Sequence, residues 1–278
     1  MINTRSVEAR LIKNIVFKSL VFSMSFIVLI PLFFILFYIV KNGISAFSLD
    51  FFLNLPKPVG EIGGGISNAI VGTLLLIVIS SSIAIPFGIF IGLYLAENKV
   101  GLLPELTRLC VDTLQGVPSI VMGIIAYAWI VIPMGSFSVL SGGIALSLMM
   151  LPIVVKSTEE TMSLIPESLK EAAFALGAPY YTTMIKVVIP SSKKGILSGV
   201  LLGIARVSGE TAPLLFTAFG SPFMNTDILK PANSLPLLIF NYATSPYDDW
   251  QSLAWGASLV LVLFILSLSI LAKVVIKK

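Results

Sequence analysis

Apolar residues gather in six long runs along the chain, at roughly 19–40, 67–96, 110–132, 137–155, 195–219 and 251–272. Each reaches or approaches the ~20 residues a helix needs to cross the hydrocarbon core of a bilayer, so the pattern predicts six membrane-spanning helices. Arg5, Arg10, Lys13 and Lys18 precede the first run, as basic residues do in a signal peptide. The run is too long for a signal h-region and no A-x-A site follows it. Residues 1–18 are therefore read as a polar tail before a true span.

The polar connections are unequal. A few residues around Pro133–Ser136 separate the third and fourth runs, whereas residues 156–194 form a long polar interruption before the fifth. Within it, Pro166-Glu-Ser-Leu-Lys-Glu-Ala-Ala-Phe-Ala-Leu opens on proline, carries Glu167 and Glu171 in its first turns and continues in good helix formers. Gly177 suits the stop of that helix. A second short amphipathic stretch is predicted over Tyr180 to Val188, ending at Pro190. By pattern alone the pair is either an interfacial hairpin linking two spans or a surface for a partner. Glu159 and Glu160, at the end of the fourth run, read as solvated charge. Residues 220–250 are rich in Pro, Asn and Ser and predict turns, with Asp248 and Asp249 just before the last run.

Composition places the chain in a membrane. Hydrophobic residues make up 56% and charged residues only 12%, about half the charged share of a soluble domain. The absence of histidine removes HExxH metalloproteases, Ser-His hydrolases and histidine metal sites, and the single Cys110 excludes an internal disulfide framework. Fourteen of the eighteen Lys and Arg residues fall in 1–18, 97–109, 156–194 and 273–278. By the positive-inside rule these segments are cytoplasmic, as are both termini. The net charge of +4 thus reports orientation, with no basic soluble face for nucleic acid.

Charge inside the apolar runs is the strongest chemical signal. Arg206 and Glu210 sit four residues apart in the fifth run, where a charge costs several kcal/mol unless it meets a partner or a watery cavity. On a helical wheel Gly195, Gly199, Gly203, Arg206, Glu210, Pro213 and Thr217 share one face. The glycines suit close helix packing, as do Gly88 and Gly92 in the second run. The charged pair has two readings. One is a structural ion pair; in the other Arg206 presents a planar fork of donors to a tetrahedral oxyanion, and Glu210 competes so that the anion is released. No G-x-x-x-x-G-K-[ST] phosphate loop occurs, so the chain is not expected to hydrolyse ATP.

Glu171-Ala172-Ala173, Gly177, Val187, Ile189 and Pro190 keep the spacing of the EAA loop of ABC-transporter membrane subunits, written EAA, three residues, G, nine residues, I-x-L-P. Val187 and Ile189 are conservative departures. The stretches Arg206-Val-Ser-Gly-Glu-Thr-Ala-Pro-Leu-Leu-Phe-Thr-Ala and Asp112-Thr-Leu-Gln-Gly-Val-Pro-Ser-Ile-Val-Met-Gly resemble the permease subunits of the phosphate-specific Pst importer, an ABC system. The first span and residues 220–250 carry none of its motifs.

The resemblance implies an all-α, six-transmembrane, MetI-like type I ABC permease with a cytoplasmic coupling helix in the 156–194 loop. It implies a PstC-like permease as heterodimer partner, a PstB-like ATPase dimer that uses the ATP and Mg, and a PstS-like external phosphate-binding protein. The lipid membrane surrounds the permeases, and no cofactor or metal is expected on this chain. Pro166, Glu167, Glu171, Ala172, Ala173 and Gly177 are implied to couple to the ATPase, and Arg206, Glu210 and Thr211 to line the substrate pathway. Asp112 is either a further pathway residue, beside backbone N–H groups such as that of Ser119 after Pro118, or an interfacial aspartate beside Arg108. A permease for another oxyanion, an ion-coupled secondary transporter and an intramembrane enzyme are the competing readings. The last two lack, respectively, an internal repeat and the residues for hydrolysis.

Overall fold

The chain folds, in order, into α1 (Thr4–Gly43), α2 (Leu49–Leu53), α3 (Ser67–Glu97), α4 (Leu102–Gly116), α5 (Ser119–Met134), α6 (Val139–Ser163), α7 (Glu167–Ala175), α8 (Tyr180–Val207), α9 (Ala212–Leu215), α10 (Leu235–Ala243) and α11 (Asp248–Lys277). The computed structural model describes residues 4–61 and 63–277, so the first three residues of the expected tail, with Ile62 and Lys278, lie outside the described residues. Among the described residues α1, α3, α6, α8 and α11 are long and apolar enough to cross a membrane. Helices α4 and α5 together make a sixth candidate, bent by 105°.

Helix α6 is the axis of the bundle because glycines on both neighbours let their backbones approach it. A β-carbon on Gly88 would lie 2.7 Å from Val154, and one on Gly92 would lie 2.6 Å from Thr158, so α3 packs directly on α6. On the other side Gly195 and Gly199 of α8 face Thr161 and Ser157, and Gly203 faces Met150. This is small-xxx-small packing on two faces of one helix. Leu76, Leu146, Met150, Val154, Val200 and Leu214 fill the space between. At the start of α6, Ser138 and Ser141 form a capping box, and the Ser141 hydroxyl also donates to the Thr217 carbonyl at 2.9 Å.

The helices extend past the ends of several apolar runs, α1 back to Thr4 and α6 on to Ser163, and three expected elements differ more deeply. The third run, 110–132, is no single span: a helical α4 ends at Gly116, Val117 and Pro118 are extended, and α5 restarts at Ser119. The residue before a proline is driven from helical geometry, which sets the bend. The fifth run, 195–219, begins and ends earlier than expected, because α8 covers Tyr180–Val207. Tyr180–Val188 therefore does not stop at Pro190. A π turn over Met184–Val188 absorbs the missing N–H and the steric demand of that proline, and the helix continues. Between α6 and α8 only residues 164–179 remain outside the long helices, with α7 within them.

The 220–250 connection is also more ordered than its turn-rich composition suggests. Ser234 caps α10 by accepting from the Leu237 N–H, and Pro236 stands at the helix start. Leu235 and Leu238 bury against Phe51, Ile66 and Ala257. The Leu235 N–H donates to Thr73 of α3 at 2.8 Å. Helix α1 behaves differently: no residue in its most apolar stretch is buried against the rest of the described chain. Its end alone is fastened, where a β-carbon on Gly43 would come within 2.7 Å of the Trp255 carbonyl of α11.

Candidate functional site

The end of α8 carries the charged pair. Ser208 and Gly209 close the helix with short-range bonds, the Gly209 N–H to the Arg206 carbonyl and the Glu210 N–H to that of Val207. Gly209 has low helix propensity and Pro213 has no N–H to continue the ladder, so the chain breaks there. The single helical face running from Gly195 to Thr217 is thus interrupted. Gly195, Gly199 and Gly203 are spent on α6, while Glu210, Pro213 and Thr217 lie beyond the break. Thr211 caps the short α9, with its carbonyl accepting from Leu214 and Leu215.

Arg206 and Glu210 still meet, Nε to Oε1 at 3.9 Å, with side chains 51% and 19% exposed respectively. The pair is loose and one-sided: Glu210 is mostly enclosed while the guanidinium projects from the chain. Ser119 opens α5, the helix that runs beside the segment carrying Glu210. One turn further, Gly123 allows Pro213 to approach, its β-carbon position lying 2.6 Å from the Pro213 Cα. Beyond that Phe219 stacks on Phe137 at 4.6 Å, and Phe137 meets Tyr127 at 6.1 Å. Phe219 holds a left-handed φ of 62°, a strained conformation for a bulky residue. The restarted α5 and the segment after α8 therefore run side by side from a charged end to an aromatic one. The aromatic trio carried no sequence signal, since it joins three separate segments.

Asp112 is not part of this group. It pairs with Lys156 of α6, and Arg108 is not its partner. The Arg108 guanidinium instead donates to Glu159 at 2.7 Å and to the carbonyls of Leu95, Asn98 and Lys99 at the end of α3. Glu159, expected as solvated charge, is thus enclosed in an ion pair, while Glu160 is exposed as expected.

The 164–179 segment forms the second candidate region. Pro166 caps α7, Glu167 opens it, and the helix ends in a Schellman motif in which Gly177 donates to Phe174 and Ala178 to Ala173. Gly177 takes a φ of 77° with open space around it, so its backbone rather than its size is what the turn needs. Ala173 packs inward, whereas Glu171 and Ala172 are exposed. Glu167 pairs with Lys99 at 3.8 Å, both side chains well exposed. Lys170 pairs with Glu97, the last residue of α3, and the Tyr180 hydroxyl reaches the same carboxylate at 3.2 Å.

Residues 84–278 match the family described as the binding-protein-dependent transport system inner membrane component. The chain is 45% identical over 245 residues, 88% of its length and 83% of the relative's, to the phosphate transport system permease protein PstA of Yersinia pestis. It is 41% identical to PstA of Pasteurella multocida over 96% of this chain and 95% of that one. Identity is 36% to the probable PstA of Methanocaldococcus jannaschii, over 93% and 92%. In fold it resembles the MetNI methionine ABC transporter, with a TM-score of 0.64 at 16% identity, covering 76% of this chain and 94% of that one. A chain of an amino acid ABC transporter matches with a TM-score of 0.56 at 16% identity, covering 75% and 91%. A multi-pass helical chain with an EAA-type helix and a charged pair at a broken membrane helix, matched so closely and over nearly its whole length, belongs to the binding-protein-dependent transport permeases, in the PstA family.

Proposed function

We propose that this chain is one of two permease halves of an ATP-driven phosphate importer in the cytoplasmic membrane, with Arg206 and Glu210 as the groups past which phosphate moves. The observation that carries the reading is the one-sided pair: an arginine side chain 51% exposed at the broken end of a membrane helix, beside a glutamate that is mostly enclosed. Hydrocarbon is a costly neighbour for such a charge. A second, PstC-like permease on that face would close a polar path around it.

The chemistry suits an oxyanion. At 3.9 Å from Nε, Glu210 neutralises Arg206 without occupying its fork of terminal N–H donors, which remain available for two phosphate oxygens. A lone arginine in a low-dielectric path would hold a divalent anion tightly; the neighbouring carboxylate makes that well shallower. It can also accept from a protonated phosphate oxygen, a contact sulfate cannot offer at neutral pH.

Energy arrives from separate chains. A PstB-like ATPase dimer binds the ATP and Mg and receives α7, whose exposed Glu171 and Ala172 face away from the bundle. A PstS-like protein delivers phosphate on the opposite side. ATP-driven closure of the ATPases shifts α7 and opens the interface between the two permeases, and hydrolysis reverses the movement. Phosphate uptake by the reconstituted complex tests both roles. Arg206→Ala and Glu171→Lys should each reduce ATP-driven uptake by an order of magnitude or more, on the scale of ~1.4 kcal/mol per tenfold; wild-type uptake by both variants would refute the two roles together.

A further inference from the structure

Helix α7 has little packing of its own, since Ala173 is its one buried residue. A push on it reaches the membrane helices through its two chain connections and through side-chain links. Those links converge on the end of α3. Glu97 takes Lys170 of α7 on one carboxylate oxygen and the Tyr180 hydroxyl, at the start of α8, on the other. Glu97 and Lys170 are each about four-fifths enclosed, at 21% and 22% exposure, whereas the nearby Lys99–Glu167 pair is solvated and weakly held.

Local helix physics does not account for a carboxylate at that position. The C-terminal end of a helix carries a partial negative charge and favours cations, and here Arg108 supplies the cation by bonding the Leu95, Asn98 and Lys99 carbonyls. Glu97 sits against the dipole of its own helix. Breaking a local preference in a helix otherwise consistent with its surroundings points to a use outside that helix. The body behind it is stiff: α3 is locked on α6 through Gly88 and Gly92, and α6 on α8 through Gly195 and Gly199. The same α8 carries Arg206 in its last turn.

We propose that Glu97 is the positioning residue that couples α7 to the pathway, one carboxylate binding the coupling helix and the root of α8 to the end of α3 so that all three move together. The inference rests on the importer reading above. It is tested on the complete reconstituted complex by measuring ATP hydrolysed per phosphate transported, a ratio that a merely stabilising contact leaves unchanged. Glu97→Gln should keep ATP hydrolysis and raise the ratio on the order of fivefold, the low end of coupling between sites. The exchange Glu97→Lys with Lys170→Glu, which restores the ion pair in reverse, should bring it back toward wild type. Lys170→Gln and Tyr180→Phe, milder changes at the two partners, should each raise the ratio even if Glu97→Gln fails to assemble. A wild-type ratio in Lys170→Gln and Tyr180→Phe overturns the role of Glu97, as does an exchange that leaves the ratio raised. A wild-type complex without ATP-driven phosphate uptake overturns the importer reading instead.

Discussion

Arg108 shows how one side chain can organise a helix end. The last turn of α3 leaves carbonyls without intrahelical donors, and the guanidinium meets that of Leu95 and those of Asn98 and Lys99 just beyond the helix, while its Nε holds Glu159 of α6 at 2.7 Å. Three segments are pinned by a planar group with donors on several edges. Lysine keeps the charge but offers a single point, so it cannot span a carboxylate and three carbonyls at once. Arg108→Lys should therefore destabilise the assembled complex by ~1.5–3 kcal/mol, the net worth of hydrogen bonds to a charged group, and Arg108→Met by more, because it also leaves Glu159 without its partner. Thermal unfolding in detergent measures both. Equal melting temperatures for wild type and Arg108→Lys would mean that water serves those carbonyls as well as the guanidinium does.

At the scale of elements, stability rests on how closely α3 and α8 approach α6. The tightest approach is at Gly199, where a β-carbon would overlap the Ser157 side chain. Gly199→Ala should cost ~1–3 kcal/mol, as overpacking does, despite alanine's better helix propensity. Ser157→Gly opens the space opposite. The double variant should recover most of the loss, and melting of the four proteins gives a coupling energy well away from additivity. Additive losses would place the strain elsewhere. Such packing was half legible in the sequence: the four-residue glycine spacing was visible, but its partner was not, and the stripe appeared to run on through Glu210, Pro213 and Thr217. Gly209 and Pro213 interrupt it between apolar stretches on either side, so the length of the apolar run alone did not show the break. Helix α7 was legible because proline, acidic first turn and Gly177 are local signals. The links Glu97–Lys170 and Arg108–Glu159 were not, since they join residues 73 and 51 positions apart.

For the whole molecule, the decisive fact is that the chain is unfinished by itself. Its most apolar helix is uncovered, which lipid tolerates, but half of the Arg206 side chain is exposed as well, which lipid does not. A charge at bilayer depth costs ~2.5–3.5 kcal/mol even on the most lenient scales, and Glu210 at 3.9 Å offsets part of it. Replacing one member leaves the other uncompensated, whereas replacing both with apolar residues removes the cost along with the pair. The double variant Arg206→Leu, Glu210→Leu should thus raise the melting temperature of the isolated chain in detergent while abolishing phosphate uptake by the assembled complex. Arg206→Leu alone should not stabilise it, because the enclosed Glu210 is then unpaired. The contrast separates the two readings of the pair. If the charges serve the bundle as a structural bridge, the double variant melts no higher and transport falls only as far as stability does. If they serve the pathway, stability and transport move in opposite directions, because a charge kept at the expense of the folded chain has its use in the ion that passes it.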